Sequence, residues 1–359
     1  MPETTDTIII DGSYGEGGGS IIRFSLALAA LTRKKLLLSN IRMNREKSGL
    51  RTQHLTGIQL IQQTLGGQLF GAKLGSTAIE YIPEDKEFSE KNNSLKVNVG
   101  TAASVGLIFQ ALQIAIIGFK ADYQVDLVGG GTYGLWAPST DYIREITLNY
   151  LKKFGYNFEI EVIKHGFYPK GLAYSRILYK ISNSSSPKPL IISEGQKEIS
   201  KIKIISIASI NLKNNSVAER QANSAKSYLE SKFNEKIVFE IIINYVDSIS
   251  PGSGITIITD NYYPFGNSGV GKRGLPSEKV GEAIAKEFYD DFSKGGVIDI
   301  HATDQIIPFM ALNPGSEIIV SSLSSHSKTN IWLCQKFLPI EFEINQLENN
   351  LIRLRSVKK

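Results

Sequence analysis

A single cysteine, Cys334, stands in 359 residues, with only three methionines, two tryptophans and four histidines. One thiol excludes an intrachain disulfide and a cysteine-built zinc site, so apolar packing alone must hold the fold. No two of His54, His165, His301 and His326 have the H-x-x-x-H spacing of a helical metal site, which disfavours a histidine-zinc enzyme. No apolar run reaches the roughly 18 residues of a membrane span. The nearest, 105–119, is broken by Gln110 and Gln113. The opening MPETTDT is acidic and lacks the basic-then-apolar order of a secretion signal, so a cytoplasmic protein without membrane contact is expected.

What is present is an ordinary globular composition, 42% hydrophobic and 21% charged, long enough for two domains or one core with an insertion. The formal net charge of +5 is unevenly spread. Between residues 17 and 79, nine basic side chains (Arg23, Arg33, Lys34, Lys35, Arg42, Arg45, Lys47, Arg51, Lys73) face one acid, Glu46. That segment nets +8 and leaves −3 for the remainder. A basic patch on a mildly acidic body suits an anionic partner such as a phosphate or a nucleic acid, although a charge cluster alone is more often a solvated face.

Strand-like runs alternate with amphipathic helical patterns, which predicts an α/β or α+β fold. The spacing predicts a strand over 7–10, a glycine turn over 11–19, and a buried helix over 20–31 capped by Ser20. A strand over 35–41, a helix over 52–65 and a hairpin over 67–82 follow. The plan recurs with a helix over 101–118 and a strand over 123–128. Three stretches each end a helix, turn, and give paired strands: QQTLGGQLFGAKLGSTAIEYI, YLKKFGYNFEIEVIKHGF continuing to YSRILYKI, and CQKFLPIEFEINQLENNLIRLRSV. They point to one pseudo-symmetric domain built from three units. A Ser/Pro/Asn-rich run at 183–189 reads as a linker. Beyond it the pattern predicts strands over 202–210, 236–245 and 254–259, helices over 217–233 and 278–292, and a long turn over 262–278. The expected division is therefore an inserted α/β domain, 184–280, within a discontinuous parent, 1–183 plus 281–359.

The glycine turn GSYGEGGG at 12–19 precedes a helix, whose N-terminal N–H groups can receive an anion. Its spacing is not that of a dinucleotide fingerprint. Glu16 in its middle would repel an anion, a conflict that a bound divalent ion would remove. GNSGVGKR at 266–273 nearly matches a P-loop but carries Arg273 where the magnesium-binding Ser/Thr belongs, and reads better as a basic connecting loop. His54 ends the basic segment, His301 and Asp304 open a helix as site residues or caps, and His326 lies in a small polar run before a helix over 331–337. These residues point to phosphate handling and leave the nucleophile undecided.

Several motifs, taken in order, resemble the RNA 3′-terminal phosphate cyclase family over nearly the whole chain. DGSYGEGGGSIIRFSLALA is similar to its N-terminal signature, with Ser20 where glutamine is usual. IRMNREKSGLRTQHL resembles its arginine-rich segment, with Ser48 in place of proline. KHGFYPKGLA matches a third motif whose glycine run is broken here by Leu172 and Ala173. ATDQIIPFMAL and SSHSKTNIWLCQKFLP resemble the two C-terminal signatures. The resemblance implies a parent of three βαβαβ-type repeats, like the C-terminal domain of the third bacterial initiation factor, with a smaller inserted α/β domain.

It also implies a chemistry. His326 would attack the α-phosphate of ATP and carry AMP. AMP would pass to an RNA 3′-phosphate, and the 2′-hydroxyl would then close a 2′,3′-cyclic phosphate. The same resemblance assigns Glu16 to a divalent metal, Mg2+ or Mn2+, and Arg23, Arg42, Arg45, Gln53 and His54 to the RNA and ATP phosphates. Gln110 and His301, Ala302, Thr303, Asp304 and Gln305 align with nucleotide contacts, Asp304 either orienting His326 or touching adenosine. Two rivals remain: a non-catalytic RNA-binding relative, against which His326 in its full motif argues, and an enolpyruvyl transferase on a related repeat fold. A lysine nucleotidyl transferase is disfavoured because no K-x-D-G occurs.

Overall fold

The computed structural model describes residues 6–84, 94–100, 103–181, 186–194, 198–233 and 237–359. It is mixed α/β. The apolar run β1 (Thr7–Asp11) leads through the glycine turn into α1 (Gly19–Thr32), in which every residue from Ser20 to Ala30 is buried. Strand β2 (Lys35–Ser39), helix α2 (Thr52–Leu65), and strands β3 (Gln68–Phe70) and β4 (Ile79–Ile82) complete a sheet ordered β1-β2-β4-β3. Its β1–β2 pair is parallel and the others antiparallel. A second sheet uses β5 (Ser94–Asn98), β6 (Tyr123–Val128), β7 (Asn157–Lys164) and β8 (Tyr174–Lys180) in the order β5-β6-β8-β7, with the same pattern of senses. Helix α3 (Val105–Ile116) joins its parallel pair. A helical stretch of α4 (Thr140–Tyr142), a π turn over Ile143–Thr147 and α5 (Leu148–Lys153) precedes β7.

The next unit contains β9 (Lys201–Ser209), α6 (Val217–Glu230), β10 (Val238–Val246), β11 (Ser253–Thr259), β12 (Gly266–Val270) and α7 (Ser277–Phe292), its sheet ordered β10-β9-β11-β12. Every residue of β11 is buried, as befits a strand covered on both faces. The chain ends with α8 (Ile300–Leu312), β13 (Glu317–Val320), α9 (Ser325–Phe337), β14 (Ile340–Gln346) and β15 (Ile352–Lys358). That sheet is ordered β13-β15-β14, with Ile298 bridged in parallel to Val320 at its edge. One large apolar core joins the first, second and last sheets. A separate cluster, including Ile202, Ile255, Phe265 and Phe288, lies between the third sheet and helices α6 and α7. Tyr133, Phe167 and Ile207 form a small third cluster.

Several local expectations change. Ser20 does not cap α1; Gly18 holds the N-cap position and Ser20 is buried in the first turn, its hydroxyl donating to Asn330 Oδ1 at 3.2 Å. The glycine-rich 262–278 run is not one long turn, because 266–270 pairs with β11 as an edge strand. Helix α9 begins at Ser325 and therefore includes His326 in its first turn, with Ser324 as N-cap. The boundary expected after residue 280 falls inside α7, whose buried Val280, Ala285 and Phe288 belong to the second cluster. Thr101, Lys236 and the linker run through residue 185 lie outside the described residues. Leu172, which interrupts the expected glycine run, adopts φ 61°, the left-handed conformation that glycine takes without strain.

Candidate active site

Four elements of the large core converge on one cleft: the start of α1, the middle of α3, the start of α8 and the start of α9. The cleft has a volume of about 500 Å³. Arg23, Gln110, His301, Asp304, Gln305, His326 and Asn330 line one side, and β12, α7 and the 134–138 loop form the other. The side made by β12, α7 and the 134–138 loop is largely apolar, with Leu135, Trp136, Val270 and Ile284 beside Asn267, Ser268 and Lys272.

Within the 301–305 run the side chains divide. His301, Asp304 and Gln305 face the cleft, whereas Ala302 and Thr303 are fully buried, and the Thr303 hydroxyl donates to the Asp299 carbonyl at 2.9 Å. Asp299 caps α8, so neither His301 nor Asp304 serves as a cap. Asp304 Oδ1 accepts from the hydroxyls of Ser324 and Ser327, both at 2.5 Å, and its carbonyl accepts from Asn330 Nδ2 at 2.8 Å. Burial raises the Asp304 carboxyl above its ordinary range despite the two serine hydroxyls.

The imidazole of His326 faces Glu16, not Asp304: Nδ1 lies 3.3 Å from Glu16 Oε1. Arg45 Nη2 donates to Glu16 Oε2 and to the Glu16 carbonyl, each at 2.7 Å. The Glu16 side chain is only 8% exposed, and its Oε1 is buried without an aligned hydrogen bond. Burial alone would raise this carboxyl, but His326, Arg45 and Arg23 together hold it below its ordinary value. The ion pair with Glu16 raises the His326 imidazole against the opposing effect of burial.

Next to this pair lie Arg23 and Arg42, which form no ion pair among the described residues, although the nearby Glu16 favours the charge of both. Arg23 is 7% exposed, and its one side-chain hydrogen bond among the described residues is to Gln110 Oε1, at 3.4 Å. Its Nε is buried without a partner, and burial lowers the guanidinium to about 10, still charged at neutral pH. Arg42 likewise has a buried Nε with no partner. His54 is 1% exposed; burial first, then Arg23, Arg42 and Arg51, push it down to about 3. Its Nδ1 accepts the Arg51 backbone N–H at 3.2 Å, so the single proton of the neutral ring sits on Nε2. That nitrogen lies against the start of α1, where a Cβ on Gly19 would stand 2.5 Å from His54 Nε2 and 2.9 Å from Arg23 Nη1. Glycine is required there for this approach. Gln53 stands beside the ring, its Nε2 3.5 Å from His54 Nε2.

Arg23, Arg42, Arg45, Gln53 and His54 are thus assembled around the glycine turn, and His326 joins them to the cleft. Arg51 adjoins His54, and the Lys47 carbonyl accepts from Arg42, whereas Lys34 and Lys35 are elsewhere: Lys34 bonds the Phe337 carbonyl and Lys35 pairs with Glu80. Asn330, Ser324 and Ser327 escaped the sequence reading; only their place within the SSHSKTN run marked them. The 266–273 stretch contributes Asn267, Ser268 and Lys272 to the cleft wall, not a phosphate loop. Among the described residues no group of three metal-ligating side chains occurs, and no helix is long and apolar enough to cross a membrane.

A cleft between two mixed α/β cores, with Arg23, Lys272, His301 and His326 in its walls, fits the class of proteins that bind anionic ligands. Comparison narrows this class. The family model for RNA 3′-terminal phosphate cyclase matches residues 14–344. An RNA 3′-terminal phosphate cyclase of Methanococcoides burtonii is 36% identical over 97% of this chain and 99% of its own. Those of Thermococcus gammatolerans and Pyrococcus abyssi are each 38% identical, over 93% and 94% of this chain and 93% and 95% of theirs. The chain belongs to the RNA 3′-terminal phosphate cyclase family.

Proposed function

We propose that this protein converts an RNA 3′-terminal phosphate to a 2′,3′-cyclic phosphate at the expense of ATP, through a histidine-AMP and an RNA-(3′)pp(5′)A intermediate. The observation that carries the reading is Arg23, buried and without an ion pair among the described residues, beside neutral His54 and next to His326. A charge held in the interior without a partner is destabilising unless a ligand of opposite sign completes the site. Family membership supplies the substrate class.

In this reading His326 is the nucleophile. Its Nδ1 is turned toward Glu16, so the neutral ring with Nδ1 protonated keeps its Nε2 lone pair for the cleft. Nε2 forms a bond to the α-phosphorus of ATP as the bond to pyrophosphate breaks. An oxygen of the RNA 3′-phosphate next attacks that phosphorus, breaking the N–P bond and restoring His326. Finally the 2′-oxygen attacks the RNA phosphorus, losing its proton and expelling AMP. The last step gains from proximity, since both reacting groups sit on one ribose.

Arg23, Arg42, Arg45, Gln53 and His54 would hold the phosphates, with Arg guanidinium forks and the His54 Nε2–H as donors. Gln110, His301, Asp304 and Gln305 would contact the nucleotide, and Glu16, not Asp304, would orient the His326 ring. The buried Glu16 carboxylate, beside the arginines proposed to hold phosphate, is the kind of ligand that a divalent ion, Mg2+ or Mn2+, commonly takes together with phosphate oxygens. Bound there, such an ion would neutralise phosphate charge next to the carboxylate. For the fold, we propose that the three sheets of the large core are three βαβαβ-type repeats, and that the β9–α7 unit is the insertion. The recurring strand order and senses support that division.

The test is incubation with ATP labelled at the α-phosphate and a divalent ion. The protein should become labelled through a bond that is labile to acid and stable to alkali, and His326→Ala should abolish the label. Label persisting in His326→Ala would overturn the nucleophile assignment. An unlabelled wild-type protein would favour a phosphate-binding enzyme without a nucleotide intermediate.

A further inference from the structure

Helix α9 and the glycine turn run along one another in matched steps. Glu16 faces His326 at 3.3 Å, and a Cβ on Gly15 would meet Thr329 Oγ1 at 2.5 Å. The ring of Tyr14 stacks on Trp332 with centroids 4.0 Å apart and planes 13° apart. One residue back along the turn thus corresponds to three residues forward along the helix. At 1.5 Å per residue, the aromatic pair stands roughly 9 Å along the axis from His326.

This pair lies outside the cleft, since neither Tyr14 nor Trp332 is among its walls. Trp332 packs on the core and covers one face of Tyr14, which is itself 43% exposed. Around the rings are basic side chains: Lys336 Nζ lies 5.8 Å from the Trp332 ring centre, Lys328 is exposed on the same helix, and Arg45 is exposed on the neighbouring arginine loop, paired with Glu16. The arginine loop is tied to this turn, with Asn44 Nδ2 donating to the Ser13 carbonyl at 3.2 Å and Arg45 to that of Glu16.

We propose that Tyr14, backed by Trp332, is a stacking platform for a base of the RNA strand within the last few nucleotides before the terminal phosphate. This rests on the function proposed above. An aromatic face beside a cationic backbone track is how proteins hold single strands without reading sequence, because every base offers a π face. The ATP side of the site is accounted for by the cleft on the other side of His326. A partly exposed ring continuous with the phosphate cluster is what remains for the polynucleotide.

The experiment uses full-length protein and short RNAs ending in a 3′-phosphate, with 2-aminopurine at the first, second or third position from that end. Without ATP, emission should be quenched at one of these positions in the wild type. Tyr14→Phe should keep the quench, while Tyr14→Ala and Tyr14→Leu should lose it and bind the RNA roughly 5- to 100-fold more weakly, as loss of one stacked base predicts. Tyr14→Leu retains an apolar side chain against Trp332, so its result does not depend on how the turn tolerates alanine. If the wild type cyclises these RNAs with ATP but shows no position-dependent quench, or if the quench survives in Tyr14→Leu, the platform is refuted and the activity stands. RNAs that bind but are never cyclised would instead remove the function on which the proposal rests.

Discussion

His54 and His326 belong to one cluster and are driven in opposite directions. Burial and three arginines push His54 down to about 3, whereas Glu16 pulls His326 up. The unfolded chain takes a proton on His54 near pH 6.5 and the folded chain does not, so folding stability falls as pH drops from about 6.5 toward 3. By pH 5 this amounts to about 2 kcal/mol. Urea unfolding at pH 7 and pH 5 should show the wild type losing about that much more than His54→Gln. Equal losses would mean that His54 is not held neutral. At this scale the sequence was legible where a residue type is odd for its surroundings, as with Glu16 among glycines. It was silent about partners: Asp304 is held by serines 20 and 23 residues away, and Ser20 reaches Asn330 across 310 residues. Such pairs exist only once the chain has folded.

Among the elements, α8 carries the connection between the two cores. Asp299 at its N-cap accepts the N–H groups of His301 and Ala302, the hydroxyl of Tyr142 and the N–H of Gly266 in β12. Asp299→Ala would leave four donors without an acceptor, three of them on fully or nearly buried groups. A destabilisation of about 2–4 kcal/mol in chemical denaturation is expected, with Asp299→Asn costing less than half of that because it remains a good cap. A loss under about 0.5 kcal/mol for the alanine variant would show that other contacts fix this junction. Helix α2 was readable to the residue, since its apolar spacing begins and ends cleanly. Strand β12 was not: GNSGV has the composition of a turn and becomes a strand only because β11 offers it a partner along its full length. His326 was placed ahead of its helix for a similar reason, the first turn of α9 being small and polar.

For the molecule as a whole, the cleft is a property of two cores meeting, and neither unit forms it alone. Ala283, exposed on α7, lines the cleft. Ala283→Trp should fill part of the cleft and lower labelling by α-labelled ATP more than about tenfold, while thermal unfolding shifts little, because the side chain enters open space. Undiminished labelling would place the nucleotide elsewhere. The mixed α/β class was legible from alternating periodicities, but the meeting of the cores was not, since it depends on how β9 and β11 are covered on both faces. Cys334 lies on the inner side of α9, fully buried, and burial raises its thiol far above the ordinary value. The protein therefore has no reactive sulfur of its own at neutral pH. A cysteine introduced at any exposed position on either side of the cleft would be the sole site for a thiol-directed dye, so opening and closing around ATP or RNA can be followed by fluorescence in an otherwise unaltered chain.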